Sequence, residues 1–207
     1  MTRSQSTPLG ALARGVVAGM VGTAAMDLVQ FARYKRGGGT DRLLAWEFSA
    51  GLKDWEQAPA PAQIGKRIVE GVFQHQLPPE RAALINNLTH WGYGIAWGGL
   101  FGLVAGSMRA PKVRYGLVLG TTVWIGDYVL LPLAKLYRPI WEYDVKVLAK
   151  DLGDHLVFGV STAGAERLLG GRRAGADQPR HRSEHVAEST GGRSPSGLAW
   201  PGTAARR

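Results

Sequence analysis

Gly94, Gly98, Gly102 and Gly106 recur at every fourth residue of a stretch, Leu88–Gly106, that carries no formal charge, and Gly99 stands beside them. Four-residue spacing stacks these glycines on one helix face, leaving a smooth groove where a second backbone can approach closely. In water such a helix loses about 1 kcal/mol per glycine relative to alanine. In lipid the balance reverses, because helices associate there through tight packing and interhelical hydrogen bonds. Gly15/Gly19 and Gly116/Gly120 repeat the small-xxx-small spacing in two other apolar stretches. The pattern predicts an integral membrane protein packed through glycine, a glycine zipper, rather than a soluble hairpin.

Four stretches are candidates to span a bilayer: about 9–32, 88–106, 116–136 and 152–170. A hydrocarbon core takes about 20 mostly apolar residues. The fourth stretch is the weakest, interrupted by Asp154, His155, Glu166 and Arg167. Arg3, Arg14 and the run Gly15–Ala25 have the look of a signal peptide. The basic stop Arg33-Tyr34-Lys35-Arg36 and the later spans favour a retained helix instead. The expected fold is all-α: a four-helix transmembrane bundle over 1–170, with a polar loop at 33–87 and a disordered basic tail at 171–207. Within the loop, Ala58-Pro59-Ala60-Pro61 reads as an extended joint. Ile64, Ile68, Val72 and Phe73, opposite Lys66, Arg67 and Glu70, predict an amphipathic helix. Pro79-Glu80 reads as the first turn of the next one.

The chain has 25 Lys+Arg against 16 Asp+Glu, a net +9, and no cysteine. That excludes disulfides, zinc ribbons, iron–sulfur sites and a cysteine nucleophile. Gly-x-Ser-x-Gly, Walker and His-Glu-x-x-His motifs are missing, and Gly159-Val-Ser161-Thr-Ala163 resembles a nucleophile elbow only loosely. No catalytic residue, cofactor or enzyme activity is therefore assigned. The expected partner is the lipid bilayer, not nucleic acid, with a second copy or another membrane protein as the protein partners left open.

The first and third spans share a pattern: Gly15…Gly19…Asp27-Leu-Val29 against Gly116…Gly120…Asp127-Tyr-Val129. The second and fourth share His-x-x-aromatic-Gly, at His90–Gly94 and His155–Gly159. These pairs predict a duplicated hairpin with a pseudo-twofold axis along the membrane normal. Asp27, six residues before Arg33, lies about 9 Å inside that edge, at the depth of His90. An Asp27–His90 hydrogen bond is expected, and Asp127 is placed near the midplane of its span. Asp154 and His155 enter the fourth span from the face that His90 enters.

Ionisable groups inside a bilayer are costly and face the bundle or water. Three roles are open for Asp27, His90, Asp127, Asp154 and His155: interhelical hydrogen-bond links in a structural or interaction protein, a proton or ion path in a small transporter centred on Asp127, or haem or metal ligation by His90 and His155. Arg14, Arg109, Lys112, Arg114, Arg172 and Arg173 on one side face Arg33, Lys35, Arg36, Lys135 and Arg138 on the other. This balance leans towards both termini in the cytoplasm. Trp46, Trp55, Trp91, Trp141 and Tyr143 suggest an aromatic interfacial layer on the opposite face.

The layout resembles the YagU-like family of small bacterial inner-membrane proteins, most clearly over 89–173. The carriers are the His opening the second span, Pro111-Lys112, a third span ending near Pro132, Pro139-Ile-Trp141-Glu-Tyr143, Gly-Asp-His155-Leu156-Val157 and Arg172-Arg173. The resemblance implies a multi-pass inner-membrane location. The family has no established activity, so it implies no catalytic residues.

Overall fold

The first helix shows both terminal devices. Thr7 caps α1 (Pro8–Arg36) by accepting the Gly10 amide at 3.1 Å, and Pro8 occupies a position that needs no amide donor. Arg33, Lys35 and Arg36 lie in its last turn, where the helix dipole favours cations. Gly38, at φ +90°, takes the left-handed turn that releases the chain. The computed structural model describes residues 7–49, 54–56, 58–108 and 113–176. Among these there are five further α-helices: α2 (Leu43–Ser49), α3 (Ala60–Val72), α4 (Ala82–Ser107), α5 (Tyr115–Leu133) and α6 (Val145–Ala176). The described residues contain no strand, so the fold is all-α.

The helix order in space is α4–α1–α6–α5. The extensive seams are α1 with α4, α1 with α6, and α6 with α5. No comparable seam joins α4 to α5. Gly15 lies beside Gly98 and Gly102 while Gly19 lies beside Gly94 and Gly98, so α1 and α4 run antiparallel. A methyl on Gly98 would meet the backbone of Gly19 and the Gly15 carbonyl, which only glycine permits. In the second hairpin Gly116 meets Gly159, and Gly120 meets the backbone at His155 and Leu156. The register differs by a turn: Gly19 faces the glycine four residues after its histidine, whereas in the second hairpin Gly116 does so. Gly106 lies in the last turn of α4.

α1 and α6 are tied at both ends. Arg14 Nε donates to Glu166 Oε1 at 3.1 Å, and Arg33 Nη1 donates to Asp154 Oδ2 at 2.6 Å. Nineteen residues separate the two arginines, which puts the ties about 28 Å apart along the helix. Between them the usual distribution of side chains is reversed. Thr23, Asp27, His155 and Thr162 are buried, while Val17, Val21, Leu28, Leu100, Val104, Val118, Ile125 and Val129 are exposed. Met26, Phe101, Leu119, Val123 and Phe158 form a small apolar core between the helices.

Two of the helices, Pro8–Arg36 and Tyr115–Leu133, are long and apolar enough to cross a bilayer. The other two expected spans fall in α4 and α6, which do not meet that measure. Their boundaries also differ from expectation. α4 begins at Ala82, continuing the Pro79–Arg81 turn, and α6 begins at Val145 and runs to Ala176, beyond the expected start of the tail. α5 stops at Leu133, because Lys135 takes φ +57° and reverses the chain. The rest of the expected tail, 177–207, and the Pro111-Lys112 loop with Arg109 lie outside the described residues.

The loop is more ordered than its polarity suggests. Pro59 is extended, but Ala60 and Pro61 form the first turn of α3, which corrects the second half of the extended joint. α3 packs on α4, with Trp55, Ala62 and Ala82 as its own small core. Trp55 is buried there and its Nε1 donates to the Leu77 carbonyl at 3.2 Å, so it is not part of an outer aromatic layer. Trp141, by contrast, is 81% exposed.

Candidate functional site

Each hairpin joins an aspartate to a histidine. His90 Nε2 on α4 lies 3.0 Å from Asp27 Oδ1 on α1, and His155 Nε2 on α6 lies 3.2 Å from Asp127 Oδ2 on α5. The second pair carries two further bonds. Tyr93, one helical turn after His90, donates its hydroxyl to Asp127 Oδ1 at 2.8 Å, and His155 Nδ1 lies 2.9 Å from the Asp151 carbonyl. With α5 ending at Leu133, Asp127 stands six residues from the helix end, about 9 Å. That matches the distance of Asp27 from Arg33 and puts Asp127 past the centre of α5, nearer its C-terminal end.

Proton counting constrains the second pair. A carbonyl only accepts, so His155 Nδ1 carries hydrogen. The bond to Asp127 then has two forms: imidazolium donating to carboxylate, or a protonated Asp127 donating to neutral imidazole. Either way the pair holds one exchangeable proton. Both Asp127 oxygens are occupied, by Tyr93 and by His155.

The first pair is less complete. Asp27 is 6% exposed, and its Oδ2 has no hydrogen-bond donor. The Glu47 carboxyl lines the same cavity from α2. α2 is held there by α4: Trp91 Nε1 donates to Glu47 Oε1 at 3.0 Å and Asn87 Nδ2 to the Glu47 carbonyl at 2.5 Å. Burial pushes the Glu47 carboxyl above its ordinary value; the Trp91 bond and His90 oppose this, and Asp27 adds to it. Glu47 was not among the residues expected from sequence, where a lone glutamate in a polar loop looks like a solvated acid.

Both pairs face one chamber of about 600 Å³. It occupies the space that α4 and α5 leave open, with α1 and α6 behind and α2 and α3 over one end. Asp27, Glu47, Asp127, Asp151, His90 and His155 line it together with Trp46, Tyr93, Trp97, Tyr137 and Phe158, and the lining includes no lysine or arginine. A second cavity, lined by Tyr34, Tyr128, Tyr143 and Lys150, shares Gln30, Trp46, Tyr137 and Asp151 with it. It forms a vestibule at the Arg33 end of the bundle. Asp154 faces this vestibule, paired with Arg33, and is not in the chamber.

The histidines are poorly set for metal or haem. Each Nε2 is taken by a carboxylate, and both nitrogens of His155 are engaged. Among the described residues no group of three or more His, Asp or Glu is placed to hold a metal ion. Ser161 lies inside α6 rather than at a strained turn, so no elbow forms. No family model, curated protein or solved structure matches this chain, so the likeness to the YagU-like family gains no support from comparison.

Proposed function

We propose an integral membrane protein whose four long helices, α1, α4, α5 and α6, all cross the bilayer around a titratable binding chamber of the small-transporter type. The observation that carries this reading is the reversed burial between the Arg14 and Arg33 ties. Acids, histidines and threonines point inward there and branched aliphatics outward, over about the thickness of a hydrocarbon core. A bundle in water buries its apolar stripe and shows its polar one. Glycine at the α1–α4 and α5–α6 seams suits the same setting, since close backbone packing can hold helices together in lipid. The chamber is read as a binding and proton-exchange site, without an enzyme activity. A bacterial inner-membrane location with both termini in the cytoplasm is part of this proposal.

A second reading has the Asp–His pairs as interhelical locks only. The completeness of the Asp127 bonding favours it, because both oxygens are satisfied across three helices. Two experiments decide. Release of the protein into the soluble fraction by carbonate washing would end the membrane reading; retention in the pellet is expected. In proteoliposomes with an internal pH dye, the transporter reading expects proton movement that Asp127→Asn abolishes while the protein still inserts. Absence of flux with intact insertion would leave the locking role.

A further inference from the structure

The chamber's chemistry selects its ligand. Asp27, Glu47, Asp127 and Asp151 outnumber His90 and His155 on its wall, so with both imidazoles protonated and the acids ionised it still carries negative charge. Asp127 is already engaged, with Tyr93 and His155 each bonded to one of its oxygens. Asp27 has an oxygen wholly free: its Oδ2 is buried and lacks a donor, and Glu47 lines the same chamber. Two carboxyls lining one low-polarity chamber repel each other when both are ionised, and a cation between them relieves that repulsion. The surrounding wall is largely apolar and aromatic, with Trp46, Tyr93, Trp97, Tyr137 and Phe158 contributing rings. Ring faces attract cations, most strongly where water is excluded. At about 600 Å³ the space accepts a body the size of a small drug, far more than a bare ion needs.

We propose that the chamber takes a lipophilic organic cation, an ammonium or phosphonium ion with an apolar body, which sits on the Asp27 carboxylate and displaces a proton from the Glu47 carboxyl on the same wall. This rests on the binding-chamber reading above and names its ligand class. The charge balance is direct: one cation enters and one proton leaves. The groups facing Asp27 are His90 from α4, Glu47 from α2, and across the chamber Asp127 from α5, Asp151 and His155 from α6, Tyr93 from α4 and Tyr137 from the α5–α6 connection; α3, with Pro59 before it, contributes only Ala60, Pro61 and Ile64.

Tetraphenylphosphonium and the isosteric anion tetraphenylborate provide the probes. Calorimetric titration of the full chain in detergent is expected to give phosphonium binding that tightens at least tenfold from pH 5.5 to pH 8, with proton release read from the dependence on buffer ionisation heat. Asp27→Asn should weaken it at least tenfold, and Asp27→Glu should restore most of it. If Asp27→Asn does not fold, Glu47→Gln replaces it and should flatten the pH dependence. Equal binding of the borate, affinity independent of pH, or unchanged binding in a folded Asp27→Asn would overturn the proposal. The cysteine-free chain permits a separate check with Leu131→Cys, a chamber position. Faster labelling by a cationic than by an anionic thiosulfonate is expected. Equal labelling by both, without phosphonium binding, overturns the cation assignment alone; labelling by neither withdraws the accessible chamber itself.

Discussion

Tyr93 reaches across the unsealed side of the bundle to Asp127: its hydroxyl on α4 donates to the carboxylate on α5 at 2.8 Å, between two helices that share no packed seam. The corresponding aromatic of the other hairpin, Phe158, has no hydroxyl and packs instead against Gly22 in the closed α1–α6 seam. The two hairpins thus use the same motif position differently, as a polar bridge and as an apolar filler.

Tyr93→Phe removes that bridge and leaves one Asp127 oxygen without its donor. A hydrogen bond to a charged group contributes about 1.5–3 kcal/mol. The variant is expected to lower thermal stability in detergent, and paired cysteines on α4 and α5 should cross-link over a broader range of spacer lengths. An unchanged melting temperature together with an unchanged cross-linking profile would remove the bridge from the account.

Glycines divide into those with a neighbour and those without. Gly98→Ala places a methyl on the backbone of α1 and should cost about 1–3 kcal/mol as the helices move apart. Gly126→Ala meets nothing within 4 Å and should stabilise α5 slightly, by up to about 1 kcal/mol. Melting curves for the two variants in one detergent give the comparison; equal effects would contradict the close seam.

Glu47 makes stability depend on pH in a defined direction. Its folded carboxyl titrates above the ordinary 4.5, so the folded chain keeps a proton that the unfolded chain has released. The contribution is full below about pH 4.5 and is lost as pH rises through the folded value. Glu47→Gln should remove this slope, leaving a flatter profile of melting temperature against pH from 4 upward. A slope that survives unaltered would assign it to another group.

Asp127→Asn separates bonding from proton exchange. The amide can donate to His155 Nε2 and accept from Tyr93, so the interhelical bonds persist while the exchangeable proton is gone. Folding is expected to survive, with a melting temperature within a few degrees of the parent. Nitrogen-resolved NMR of His155 at neutral pH should then show the neutral tautomer protonated at Nδ1. A persistent imidazolium at that pH would mean that the proton does not belong to the pair.

Much of the frame was legible because charge marks the ends of apolar stretches. The basic stop at Arg33 located the edge, and counting inward put Asp27 and His90 at one depth before any contact was known. The same counting drew too long a helix around Asp127, because the expected span ran to 136 while Lys135 in the left-handed region ends the helix earlier. α2 was missed for a different reason. Seven residues are too short to carry a periodic signal, and the helix is held by Trp91 and Asn87, forty and more positions away. The Arg14–Glu166 tie spans 152 positions, and nothing local in either segment announces it.

The gap between α4 and α5 changes what concentration means for the proposed ligand. In the proposed orientation that side of the chamber meets lipid, whereas the vestibule meets the interface at the Arg33 end. An amphiphilic cation dissolves in the leaflet first, so the chamber samples its abundance among acyl chains, not its level in bulk water. Ranking such compounds by aqueous dose would then mostly rank their oil–water partition. Affinities normalised to membrane content would expose the selectivity of the Asp27 pocket itself.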